Sequence, residues 1–205
     1  MEEGATSCRT SGLEATLRTE VQVSFESAEL LGPAREFLFR VGDYVCEGNR
    51  IESGQTMSHG FWVVRFCAED GILNTYEFDD KWLDSVPGAT RALTYWRDQK
   101  ATCEAVDSDF DPPLANAKAA ISAGVIEGDP IEAIRYPAPP HMSGWYLTTA
   151  RYDGNVESLK VVHLHHVTQA RPDLLRHLAL PPGSYFDFSK SPKVGFSQEV
   201  ASEQP

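Results

Sequence analysis

Basic charge is what this 205-residue chain has least of: 18 Lys and Arg stand against 30 Asp and Glu, for a formal net charge of -12 and a pI near 4.9. Nucleic acid and anionic membrane both demand a basic footprint that displaces counterions, so neither is a fitting partner. Cysteine is scarce too. Cys8, Cys46, Cys67 and Cys103 are scattered with no C-x-x-C pair, which argues against a zinc ribbon or a dithiol redox motif and predicts reduced, mostly buried thiols. No stretch approaches the roughly 20 apolar residues of a membrane helix. The acidic start Met1-Glu2-Glu3-Gly4 lacks the apolar segment of a signal peptide. A soluble, cytoplasmic protein is expected. The nucleophile motif G-x-S-x-G is missing, and neither Cys67 nor Cys103 lies in a recognisably reactive context, so no enzyme is expected.

What is present is a folding chain: 41% hydrophobic residues with 10% aromatics suffice for a core and confine disorder to the ends. Residues 1–12 read as a flexible N-terminus and 191–205 as a flexible tail. Between them an α+β fold is predicted, with an antiparallel β-rich N-terminal domain over 13–105, a helix and Pro-rich strap over 106–142, and a smaller α+β unit over 143–190. Alternation and β-branched or aromatic residues predict strands near 20–25, 36–46, 60–67 and 72–78, the last two joined by the hairpin signal Asp70-Gly71. Residues 81–96 are broken at Pro87-Gly88 and read as a loop, then a helical or extended stretch ending at Trp96. The run from Pro112 to Ile121 predicts a helix, with Asp111 as its cap, Pro112 at its first position and Gly124 as its stop.

Three clusters invite chemistry. His163, His165 and His166 raise a metal hypothesis, since an H-x-H pair on a strand aims both imidazoles at one face. The segment alternates badly, however, and Gln169 stands where a cupin-like site would want Glu. Hydrogen-bonded structural or surface histidines are the expectation, with no metal and no cofactor. Asp107, Asp109 and Asp111 alternate as in a calcium loop, but Pro112 occupies the glycine position and Lys118 the bidentate-Glu position, so an EF-hand is excluded. Glu77, Asp79, Asp80 and Asp84 surround Trp82, as carboxylates rim an aromatic anchor for a basic partner; the bland alternative is a Trp folded back onto its sheet. The partner-binding expectation therefore names Glu77, Asp79, Asp80, Trp82 and Asp84, with Asp107, Asp109 and Asp111.

The C-terminal residues carry a family resemblance. Gly144-Trp145, the segment from His163 to Thr168, Arg171-Pro172-Asp173 with the leucines after it, and Leu180-Pro181-Pro182-Gly183-Ser184-Tyr185-Phe186 together resemble immunity protein family 33, found in bacterial toxin–immunity systems and type VI secretion loci. The resemblance spans about 50 residues and implies a non-catalytic immunity protein that occludes the active site of a cognate effector toxin. Were that toxin a basic nuclease, acidic side chains would stand in for substrate phosphates. Gly144, Trp145, Pro172, Pro182 and Gly183 would then be architectural. Two other classes compete: an interaction or regulatory adaptor sharing the acidic surface, and a small metal-dependent enzyme built on the His cluster. Oligomeric state is open.

Overall fold

Ala34, Phe37, Leu38, Val41 and Val45 recur at the spacing of one helix face, and all five are buried. They bring α2 (Leu31–Cys46) out of a stretch whose alternating Phe37, Phe39 and Val41 predicted a strand. Phe39, which alternation would have buried, is 61% exposed. In the computed structural model, which describes residues 1–79, 81–189 and 192–203, the chain divides into two units, Met1–Arg97 and Asp98–Pro205.

The first unit contains β1 (Glu2–Glu3), β2 (Ser7–Arg9), α1 (Glu14–Leu17), β3 (Val21–Ser24), α2, β4 (Thr56–His59), β5 (Trp62–Glu69), β6 (Ile72–Phe78), β7 (Ser85–Pro87) and the start of α3 (Thr90–Ala105). The sheet order is β1-β2-β3-β6-β5-β4, with β7 also on β6. The predicted β5–β6 hairpin forms, pairing Glu69 with Ile72. The all-antiparallel expectation needs one correction, because β3 and β6 run parallel, Val21 opposite Leu73. A parallel pair requires a long crossover, and α2 lies within it. The N-terminal residues expected to be loose are strands: Cys8 is buried and the Arg35 guanidinium grips Glu3 in a fork, with Nε to Oε1 at 2.7 Å.

The second unit contains the end of α3, β8 (Lys118–Ile121), β9 (Glu132–Arg135), β10 (Met142–Thr148), β11 (Lys160–His163), α4 (Leu164–Ala170), β12 (Ser184–Asp187), β13 (Lys193–Phe196) and α5 (Gln198–Ala201). Its sheet order is β11-β8-β10-β9-β12-β13. Three expectations are corrected here. The end of the alanine-rich run predicted as a helix is β8, because β10 and β11 pair with its two edges; tertiary pairing overrides propensity. The Pro-rich strap contains strand β9, and its prolines 137, 139 and 140 turn that strand back into β10. The tail supplies edge strand β13 and helix α5.

Gly144-Trp145 marks an irregularity in β10, where the five residues from Met142 to Tyr146 span only the three of β8 from Lys118 to Ala120. Gly144 sits at φ 78°, and a Cβ there would run into the Tyr136 carbonyl oxygen. The bulge buries Ser143, Gly144 and Trp145 in succession. Trp145 is wholly buried, donates its Nε1–H to the Leu178 carbonyl at 3.0 Å and packs on Phe186 at 5.2 Å between ring centroids. Pro172 opens the 3-10 helix Pro172–His177. Pro182 and Gly183 form a turn closed by Ser184 N–H on the Pro181 carbonyl at 3.0 Å, with Gly183 at φ 95°. All five motif residues therefore shape the backbone or fill the core.

His177 lies against Phe186 and Phe188, with centroids 5.2 and 5.0 Å away, and burial pushes its pKa down to about 4. The unfolded ring takes its proton near the ordinary value of 6.5, so acid favours the unfolded chain throughout that interval. This stability is fully present above pH 6.5 and is lost as pH falls toward 4, by at most about 2–3 kcal/mol after allowance for partial exposure. His165, also shifted down chiefly by burial, works in the same direction. Urea midpoints measured from pH 7 to pH 4 should fall, and His177→Phe should flatten that slope; an equal slope in the variant would assign the acid sensitivity to other groups.

Candidate functional site

The acidic turn after β6 is built differently from the expected rim. Glu77 is only 4% exposed and points inward, where its carboxylate accepts the backbone N–H of Arg91 at 2.9 Å and of Ala92 at 2.8 Å, in the first turn of α3. It caps that helix and leaves the surface set, a correction that follows from the unsatisfied donors at any helix start. Burial raises its pKa, opposed by those two hydrogen bonds. Asp79 closes the turn, its Oδ1 accepting from Leu83 N–H at 2.9 Å and Asp84 N–H at 3.3 Å, which hold its carboxyl below the usual range. Trp82 folds back onto Trp62 (4.6 Å) and Phe78 (5.3 Å), leaving Leu83 as the exposed apolar residue. Asp84 is exposed. Asp80 lies outside the described residues.

The second acidic set splits as well. Asp111 pairs with Arg135, Oδ2 to guanidinium at 3.2 Å, and its backbone carbonyl accepts from the same group at 2.6 Å, so it serves the core. Asp107 and Asp109 instead border a groove of about 380 Å³, lined also by Val106, Pro181, Val194 and Phe196. Val106 is 40% and Phe196 53% exposed, giving an apolar floor with carboxylates at its edge.

A further surface escaped the sequence reading. Residues directly opposite one another share a face of a sheet, and the registers run Val161, Ala120, Tyr146, Ile134, Tyr185, Gly195 across all six strands of the second unit. The opposite face carries Trp145, Leu147, Ala133, Arg135 and Phe186, all buried. A sheet with one solvated face normally alternates apolar inside with polar outside, yet this outer row is apolar and aromatic. Val161 is 57% exposed, and a cleft of about 580 Å³ opens over the row, lined by Ile134, Tyr136, Met142, Tyr146, Tyr152 and Val156. Tyr136 and Tyr146 meet edge to face at 5.2 Å. The next row on that face runs Thr148, Glu132, Asp187 and Lys193, two carboxylates with one ammonium that lies 5.4 Å from the Tyr185 ring centroid, and Glu203 also borders the cleft. The signal was present in Tyr146, Tyr185 and Ile134, but only strand registers from distant segments reveal that they stand in line.

The His cluster takes a mixed form. His163 ends β11, while His165 and His166 lie in the first turn of α4, so the H-x-H pair is not a strand pair. The break nevertheless gathers the rings: centroids are 5.4 Å apart for His163 and His165, 6.0 Å for His163 and His166, and 4.1 Å for His165 and His166.

All four cysteines are unpaired as disulfides, and burial pushes Cys103 up to about 11, so its unreactive thiol form prevails at neutral pH. Among the described residues no helix is long and apolar enough to cross a membrane.

Against known families, the model of the Imm33-like domain matches residues 98–197, just under half of the chain and nearly all of the second unit. The match begins well before the 143–190 segment in which the sequence motifs lie and includes the tyrosine row, the Asp107–Asp109 groove and the His cluster. It supports an immunity-protein-like domain in that unit. No curated protein and no solved structure matches the chain.

Proposed function

We propose, proceeding from the immunity-protein-like domain at residues 98–197, that the chain binds and neutralises a cognate effector toxin by covering its active site, without catalysis of its own. The observation that carries the contact surface is the apolar, tyrosine-bearing row on the outer sheet face, with the carboxylates of Glu132 and Glu203 at its margin. Tyrosines supply large, rigid contact area at low entropic cost and are enriched among residues that dominate binding energy. Carboxylates at the margin draw in a basic partner and set the association rate. A basic nuclease fits that description, with Glu132 and Glu203 occupying positions that substrate phosphates would take. Type VI delivery of such an effector and a cytoplasmic site of action belong to the same proposal. The exposed parts of the 79–84 turn and the Asp107–Asp109 groove are the competing contact surfaces.

Co-expression with the toxin gene adjacent to this one should give a co-purifying pair and rescue growth. Within that pair, Tyr146→Ala should weaken binding by about 30-fold or more, mainly through faster dissociation, as for an anchor worth about 2 kcal/mol. Glu132→Gln should slow association and flatten its dependence on salt. Surface-plasmon kinetics over a salt series read both. Unchanged rates in these variants, with slower association in Asp107→Asn/Asp109→Asn, would move the contact to the groove. No co-purification and no rescue would favour the adaptor reading.

A further inference from the structure

The three histidines form a cluster that the toxin-binding reading does not use. One ring nitrogen from each of His163, His165 and His166 lies within 4.8 Å of the others. Three imidazoles bound tetrahedrally to one ion at about 2.0–2.1 Å would hold their donor nitrogens about 3.3 Å apart and their ring centroids about 5 Å apart. The observed centroid separations of 4.1, 5.4 and 6.0 Å bracket that value. Closing the set requires rotation about side-chain torsions, of His163, which is half-buried, and of His166, which is exposed.

The middle ligand is already oriented. His165 Nδ1 lies 3.1 Å from the Ala115 carbonyl oxygen, the contact in which a neutral imidazole donates its Nδ1–H. A backbone carbonyl on the far nitrogen is the usual support for a metal-bound histidine, since it fixes both tautomer and ring plane and turns Nε2 to the metal. The same carbonyl's residue also receives no freedom from its surroundings: Ala115 is buried, and its carbonyl accepts the His165 backbone N–H at 3.0 Å as well.

We propose that His163, His165 and His166 bind one divalent first-row transition ion, zinc being the best fit, through three imidazole nitrogens with the fourth position open. Three nitrogen donors and no carboxylate or thiolate exclude calcium and magnesium, which require oxygen, and suit zinc, copper or nickel. Lys118 stands opposite His163 in the strand register and opposes a bound cation, so micromolar rather than tighter affinity is expected.

The test is zinc titration of the full chain by calorimetry, purified without a histidine tag, with cobalt as a spectroscopic probe of tetrahedral coordination. One zinc per chain is expected. His166→Gln, at an exposed position, and His163→Gln should each weaken binding at least about tenfold while leaving the circular dichroism spectrum unchanged. Cys46→Ser, the exposed thiol, should bind as the parent does. Absence of stoichiometric binding in the parent, binding that survives both histidine substitutions, or binding that disappears with Cys46→Ser would each overturn the proposal.

Discussion

Replacing Trp145 with Ala is expected to destabilise the second unit by about 3–5 kcal/mol, the range for deleting a large, fully buried aromatic. Three losses combine. The indole leaves a cavity against Phe186; its Nε1–H no longer satisfies the Leu178 carbonyl; and the face beneath the Arg135 guanidinium, 6.0 Å from the ring, is removed. Because natural domains hold only about 5–15 kcal/mol in reserve, the variant should express with a lower melting temperature and reduced soluble yield. Loss of toxin neutralisation would then track loss of folded protein. A variant with the parent's urea midpoint that fails to bind its partner would show instead that Trp145 is a contact residue, and the architectural role given to the Gly144-Trp145 pair would fall.

Arg135→Ala should be of similar size, about 3–5 kcal/mol, for a different reason. This guanidinium is 6% exposed and ties four chain segments: its Nε–H donates to the Ser143 carbonyl at 2.9 Å, and one terminal nitrogen donates to the carbonyls of Asp111 and Leu180, each at 2.6 Å. The other terminal nitrogen pairs with Asp111 at 3.2 Å. Truncation strands buried carbonyl oxygens that no water replaces without rearrangement. The planar fork should matter more than the charge, so Arg135→Lys should recover only part of the loss, while Asp111→Asn, whose side chain is 54% exposed, should cost little. Urea unfolding of the three variants gives the ranking. Full recovery by lysine would show that charge alone is needed there. Arg135 and Trp145 touch, so their double variant should be less destabilised than the sum of the singles.

The turn and helix-start residues of the immunity-like motif are legible in the sequence, because glycine and proline carry their reasons locally. The bulge at Gly144 emerged only from the strand register, whereas a Pro-Pro-Gly run announces a turn and a proline before a leucine pair a helix start. The β5–β6 hairpin was legible for the same reason, with Asp70-Gly71 between two alternating segments. Residues 36–46 misled, since Phe37, Phe39 and Val41 satisfy a period of two as well as the buried set from Ala34 to Val45 satisfies 3.6. The acidic cluster misled in another way. Glu77 read as surface charge by composition, but it is buried and caps a helix, whereas Asp79 and Asp111 keep a surface position while one closes a turn and the other pairs with buried Arg135.

The sequence by itself determined the negative charge, the absence of a spanning apolar segment, the α+β class and the turn chemistry, all of which depend on residue type or on neighbours within a few positions. Only the tertiary structure decided that the end of the 112–121 run is strand β8 (Lys118–Ile121) rather than helix, because its preference is settled by partners 24 to 45 residues away. It likewise decided that Tyr146, Ile134 and Tyr185 form one row and that three imidazoles converge where β11 gives way to α4. These arrangements arise from register between distant strands and from a change of backbone geometry within four residues. Such long-range pairings leave no periodicity in the sequence that could announce them.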